Sequence, residues 1–462
     1  MLRNLLSPFL QLTGLVLVVV ACQSSVDTQP VSTAKNITAF SLPYLSPAVT
    51  GVIDSVIHTV RATVPVGADL TKLSPGITIS PNAVITPGST VARDFTKPVS
   101  YTVTAQDNTA QTYTVTVSVA SSITNGGSYV YIGNGIGNFF AVDGGTGAVK
   151  WRVSTGSSIT SSAFAAVGMA FTGSDNGNLY AFDAETGTQR WKVSTGNGIL
   201  SSPVVSGTTV FVGSEDQNLY AINVLTGAIR WKFGTAGGVT SSPAVVNGVV
   251  YFGSKDQTLY ALDAITGTQR WKFGAGGQIT SSPAVVGSLV YIGTNDYNLY
   301  ALDATTGAIK WKYATGGLVA SSPVVSNGIV YIGSEDKTIY ALDATTGTLR
   351  WKYGTAGRIA ASAAVENGIV YMGSEDKTMY ALDATTGTLR WRYNTGGIVS
   401  ASAVVYNGFV YFGSQDSSLY CLNATSGVLR WRVPLDAKLL GSPCLLNSDF
   451  VPFASGISGG HQ

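Results

Sequence analysis

The sequence predicts an all-β chain: an eight-bladed β-propeller whose C-terminal strand closes the first blade, preceded by a small β-sandwich. Three observations lead there. Trp151, Trp191, Trp231, Trp271, Trp311, Trp351, Trp391 and Trp431 stand forty residues apart and are all the tryptophans of the 462-residue chain. A fixed period near 40 with one tryptophan per unit marks a propeller or solenoid. Each unit also holds four short alternating segments separated by turn residues, enough for one blade. Finally, the two ends of the array are complementary: the first unit starts at its second strand, 129–132, and 441–446 is a first strand with no unit after it. Pairing that strand into the first blade from the inside joins the ends and removes an open edge.

In the unit beginning at Ser281, strand A falls at 283–286, B at 289–292, C at 298–303 and D at 308–313. Asp303 opens the C–D turn, where its carboxylate can accept hydrogen bonds from the turn amides and Gly307 can supply a positive φ. Asp143, Asp183, Asp263, Asp303, Asp343 and Asp383 are therefore read as turn residues; no calcium-loop spacing of alternating carboxylates follows them. The eight indoles are expected to pack between blades, each burying a flat ring against the next sheet. Each is flanked by two cations, as in Arg270-Trp271-Lys272. Strand D is outermost, so charge there blocks edge-to-edge pairing of molecules. Docking of acidic partners or lipid headgroups is the functional alternative for these cations.

Charged residues make up 11% of the chain and the net charge is +2, which gives no ground for a nucleic-acid partner. Residues 1–21 read as a signal peptide: Arg3 gives a positive start, 15–20 are apolar, and small residues end the run, which is too short to span a membrane. Cys22, just after that site, resembles the bacterial lipobox, which implies cleavage before Cys22 and membrane attachment through lipid on its thiol. An ordinary signal peptide with a chance cysteine is the alternative. Residues 22–34 are small and polar, as in a flexible tether. Residues 35–120 carry alternating runs, clearest at 99–104 and 112–117 around Gln106-Asp107-Asn108, a hairpin signal within a small sandwich. His58 is read as a structural residue on a strand there. Residues 121–127 form a linker, 128–447 the propeller, and 448–462 a tail whose Pro452 blocks a strand ladder.

Two resemblances add to this reading. The stretches ITAFSL, VPVGADLTKLSPGITIS and DFTKPVSYTVTAQDNTAQTYTVTV resemble the immunoglobulin-like modules of bacterial surface lipoproteins, which implies a spacer or adhesion module without catalysis. The YALDAxTGxxRWK core of the repeat resembles the quinoprotein-type tryptophan motif. That repeat occurs in pyrroloquinoline-quinone (PQQ)-dependent dehydrogenases, which hold calcium beside the quinone. It occurs also in cofactor-free envelope proteins, such as the propeller lipoprotein of the outer-membrane barrel-assembly machinery. The dehydrogenases use a disulfide between adjacent cysteines, and this chain has no Cys-Cys pair. The strand A segments expected to line the channel, such as SSPVV and ASAAV, offer Glu366 and no cation for the quinone carboxylates. An oxidising envelope permits a Cys421–Cys444 disulfide, and a buried pair of free thiols is the alternative.

Consecutive units are nearly identical, whereas an active site breaks repeat symmetry, because one substrate needs several different groups around it. The expectation is a non-catalytic, monomeric cell-envelope lipoprotein, lipid-anchored at the outer membrane, with no cofactor, metal or catalytic residue. Its propeller would serve as a protein-binding or assembly scaffold for envelope or outer-membrane proteins. A quinone-dependent dehydrogenase carrying PQQ and calcium, and a surface adhesion or glycan-binding protein, are the alternatives.

Overall fold

The computed structural model describes residues 31–45, 48–55, 57–64, 68–119 and 128–446, together with the strand Pro452–Ala454. Residues 1–21, expected to be a signal peptide, together with Cys22, most of the expected tether and residues 121–127, lie outside the described residues. The chain divides into two compact units that meet between Val119 and Ala120.

The first unit holds strands β1 (Ile37–Leu42), β2 (Val49–Thr50), β3 (Val52–Asp54), β4 (Thr59–Val64), β5 (Gly76–Ile79), β6 (Val84–Thr86), β7 (Val99–Thr104) and β8 (Ala110–Val119). They form two sheets, ordered β2-β1-β5 and β3-β4-β8-β7-β6, antiparallel throughout except where β4 runs parallel to β8. The expected hairpin is β7–β8, with Tyr101 opposite Tyr113. Its alternation turns Tyr101, Val103, Tyr113 and Val115 into a core shared with Phe40, Val60 and Phe95. His58 is not on a strand: it sits in the turn before β4 with φ at 53° and meets the Tyr113 ring edge-on at 5.2 Å.

The second unit is built of eight antiparallel blades, seven of four strands and the first of five. In blade 5 the strands are A Ala284–Val286, B Leu289–Gly293, C Asn298–Asp303 and D Ile309–Ala314. Strands B and C read as continuous apolar runs because neighbouring blades cover both their faces, whereas D alternates and leaves its charged side exposed. Each C–D pair carries a bulge one residue before the tryptophan, as between Ala301 and Leu302 of strand C, which adds to blade twist.

The array closes as the chain ends predict. Cys444–Leu446 pairs antiparallel with Tyr129–Gly133, the second strand of blade 1, with Cys444 opposite Tyr131. The tail differs from expectation: Pro452–Ala454 adds a fifth strand on the far side of Cys444–Leu446. An edge strand tolerates a proline because one of its ladders is unused.

The Cys421–Cys444 disulfide does not form; both thiols are free and buried. Cys421 packs with Val130, Ile132 and Tyr411 between blades 8 and 1. Cys444 packs with Tyr131, Phe139 and Ala165 between blades 1 and 2. The sheet of blade 1 separates them, and burial pushes both thiols up to about 12.

Candidate functional site

The residues that recur in every blade hold the ring together. Each indole lies over the turn glycine of the following blade, from Trp151 over Gly187 to Trp391 over Gly427, and Trp431 closes the circle over Gly147. Gly387 shows why glycine is needed there: its φ is +72°, and a Cβ would stand 2.6 Å from the Trp351 ring. Trp351 Nε1 donates to the Ala384 carbonyl at 3.0 Å, and the Tyr331 hydroxyl donates to the same oxygen at 2.9 Å. Trp431 makes the equivalent bond to Gly144 at 3.1 Å, tying the last blade to the first. Trp231 departs from the pattern, its buried Nε1 having no acceptor.

The predicted turn aspartates are where the sequence puts them, and they do more than brace a turn. Asp263 Oδ1 accepts from the amides of Ile265 and Thr266, while Oδ2 pairs with Arg270 at 2.8 Å. Asp143, Asp183, Asp303, Asp343 and Asp383 pair likewise with Lys150, Arg190, Lys310, Arg350 and Arg390. In these blades the cation before the tryptophan therefore neutralises its own turn, beyond any role in edge protection. Asn223 and Asn423 hold their turns through the same amide bonds without charge.

The Arg270 side chain, then the Thr266 amide, hold the Asp263 carboxyl down at about 2, and Asp343 is held there in the same way by Arg350 and Thr346. A carboxyl whose folded pKa lies below its unfolded value stabilises the fold above the unfolded pKa and loses that contribution as pH falls through the folded one. The melting temperature, followed by circular dichroism, is therefore expected to fall as pH drops from about 4 to about 2. Because the pairs are surface-exposed, Asp263→Asn is expected to cost less than about 1 kcal/mol at neutral pH and to keep the turn, as Asn223 does.

A second set of aspartates went unread in the sequence. Asp336 Oδ1 accepts from the Thr338 amide at 2.9 Å, and Oδ2 accepts from the Tyr340 hydroxyl and from the Gly316 amide, both at 2.7 Å. Gly316 lies in the loop leaving blade 5, so Asp336 latches blade 6 to its predecessor. Asp216, Asp296 and Asp416 repeat the arrangement. The available signal was an aspartate four residues before the strand C tyrosine in blades 3 to 8, where blade 2 has Asn176. At the inner edge, the Ser162 amide donates to Ser202 Oγ at 3.0 Å, and the pattern steps by forty residues until the Ser442 amide returns to Ser162 Oγ at 3.1 Å. Eight serines thus form a closed hydrogen-bonded circle.

The blades stop being alike on one face. In every blade an amide of the B–C turn donates to a carbonyl of the loop entering that blade, as Glu335 to Leu318 and Glu375 to Arg358, and Gly135 to Lys438 closes that circle. The turn position of these pairs reads Gly, Asp, Glu, Lys, Asn, Glu, Glu, Gln from blade 1 to blade 8. Much of this rim is charged and cross-braced. Glu215 pairs with Lys255 at 2.5 Å, Glu335 with Arg358 at 3.3 Å, and Asp175 accepts from Thr160 at 2.9 Å. Here eight near-identical blades present chemically different side chains to one side of the ring.

The inner edge does not fit a quinone with calcium. The A strands carry one carboxylate, Glu366, which burial pushes above its usual range, and no cation. Among the described residues no cluster of three His, Cys, Asp or Glu side chains could hold a metal ion. The two cysteines stand on opposite faces of blade 1.

Comparison with known proteins agrees with this architecture. A family model described as "SGBP, N-terminal" matches residues 37–117. Among solved structures, BamB from Moraxella catarrhalis superposes with a TM-score of 0.55 at 19% identity, over 63% of this chain and 94% of that one. The computationally designed Ika8 protein superposes with a TM-score of 0.56 at 17% identity, over 64% and 96%. At such identities the likeness concerns the fold. Comparison with curated proteins gives no match. The propeller itself is matched three times, at 137–239, 221–319 and 314–438, by the model of one family. The chain belongs to that family, the one described as outer membrane protein assembly factor BamB.

Proposed function

We propose that this chain is a non-catalytic assembly scaffold of the cell envelope, anchored at the outer membrane by lipid on Cys22. Its propeller docks an outer-membrane protein on the charged arc of the rim, where Glu335, Arg358 and Glu375 stand. One observation carries the reading beyond the family name: chemical asymmetry is concentrated on this rim, while the shared residues are spent on holding blades together. Mixed charge on an exposed surface gives a partner register and specificity more than raw affinity. A pull-down with the full-length chain from a detergent extract of its own envelope is expected to recover an outer-membrane protein. Labelled palmitate is expected to enter the wild type and to be lost in Cys22→Ser. Recovery of no envelope protein would sink the scaffold reading, and equal labelling of Cys22→Ser would sink the anchor.

A further inference from the structure

The rim has a second sector, on blades 4 and 5, where amide and phenol side chains stand beside the turn aspartates Asp256 and Asp296. Asn295 and Tyr297 lie in the B–C turn of blade 5, and the Asn295 amide donates to the Gln278 carbonyl at 2.9 Å. Gly276, two residues from Gln278, donates to Asp296 in the same turn at 2.9 Å, and the adjoining Ala275 amide reaches the Gln257 carbonyl of blade 4 at 2.8 Å. Gln257, Gln278, Asn295 and Tyr297 therefore belong to one contiguous patch. None of these four side chains has a hydrogen-bond partner among the described residues, in contrast to the braced Asp175, Glu215, Glu335 and Gln415 elsewhere on the rim. Tyr297, 50% exposed, is the one exposed aromatic ring among the described propeller residues. One buried oxygen of this patch, Asn295 Oδ1, has no donor, and buried polar groups are otherwise almost always paired.

From this chemistry we infer that the blade 4–5 sector binds a neutral glycan. A sugar ring has an apolar C–H face that lies flat on an aromatic side chain, and hydroxyls that both donate and accept. Side-chain amides answer both requirements at once, and a phenol offers an apolar ring with a polar tip. An ionic ligand finds less here. Of the charges here, Glu215 and Lys255 are already spent on each other at 2.5 Å, Asp256 and Asp296 accept from the Tyr260 and Tyr300 hydroxyls at 2.8 and 2.7 Å, and the four open side chains are uncharged. The inference goes beyond the scaffold reading and uses a different part of the rim.

The test is isothermal titration of the full-length chain in detergent with uncharged hexasaccharides of glucose, mannose and galactose. At least one is expected to bind, with Tyr297→Ala and Gln278→Ala/Asn295→Ala each weakening it about tenfold, the equivalent of one stacking or hydrogen-bonding contact. Gln415→Ala, on another sector of the rim, is expected to leave binding unchanged, and the melting temperatures of all variants are read alongside to confirm folding. No binding of any of the three sugars would overturn the inference. So would binding that survives both sets of substitutions, which would place the sugar elsewhere. Loss of the captured outer-membrane protein in Tyr297→Ala, with no sugar bound by the wild type, would assign the patch to protein docking instead.

Discussion

Truncating the chain after Pro434, which removes the closing strand, is expected to abolish cooperative unfolding of the propeller and to yield aggregated protein. The segment lost contains Leu435, Leu439, Leu445 and Leu446, all almost completely buried. Each is worth about 1.5–3 kcal/mol of apolar burial, so together they approach the 5–15 kcal/mol by which a typical domain is stable. The loss also opens the serine circle at Ser442 and removes the Leu435 carbonyl that accepts from Asn134 Nδ2 at 2.8 Å. Blade 1 would be left with strand B as an unpaired inner edge, a template for association. Truncation after Asn447 keeps the closing strand and is expected to melt within a few degrees of the wild type. Calorimetry and gel filtration of the two truncations check this. A soluble, cooperatively melting chain ending at Pro434 would contradict the closure.

Trp351→Ala is the point substitution expected to cost most, about 3–5 kcal/mol by the usual loss on truncating a buried aromatic. It removes the bond to Ala384 and the ring over Gly387. Gly387→Ala is also expected to destabilise, by strain at positive φ and by the approach of its Cβ to the Trp351 ring. The two costs should not add. Without the indole the new methyl has room, and the double variant should recover part of the second loss, a coupling of roughly 0.5–3 kcal/mol for contacting residues. Trp231→Phe should be milder than Trp351→Phe by about 1 kcal/mol, because the Trp231 Nε1 has no hydrogen bond to lose. Urea unfolding of the set measures all of these. Strict additivity at Trp351 and Gly387 would show that the indole is not seated on the turn.

The forty-residue period made the ring, the blade count and the closure legible, because a period identifies residues that share a structural position. It does not say which neighbour each position meets. The glycine after each turn could be read as a positive-φ residue, but its place under the indole of the preceding blade depends on how one sheet is rotated against the next. The same ignorance hid the serine circle and the Asp336–Tyr340–Gly316 latch, each of which joins residues on two different blades or turns. The choice between a disulfide and two buried thiols at Cys421 and Cys444 stayed open for a related reason: sequence separation carries no information about which face of a sheet a side chain occupies. His58 was read onto a strand because its neighbours alternate, whereas its φ of 53° makes it a turn residue. The rim was present in the sequence only as the positions where the repeats disagree, and disagreement gains meaning once those positions are seen to share a face.

The central claim is that repeated residues build the ring and divergent rim residues give it a partner. It is tested most directly by reversing two rim charges without touching the indoles and turn glycines that join the blades. Glu335→Lys/Glu375→Lys is expected to melt within a few degrees of the wild type, since both side chains are only half-buried and Glu335 gives up one exposed ion pair, yet to lose the outer-membrane protein recovered by the wild type in the same detergent pull-down. Undiminished recovery of that protein by a folded Glu335→Lys/Glu375→Lys variant would contradict the account.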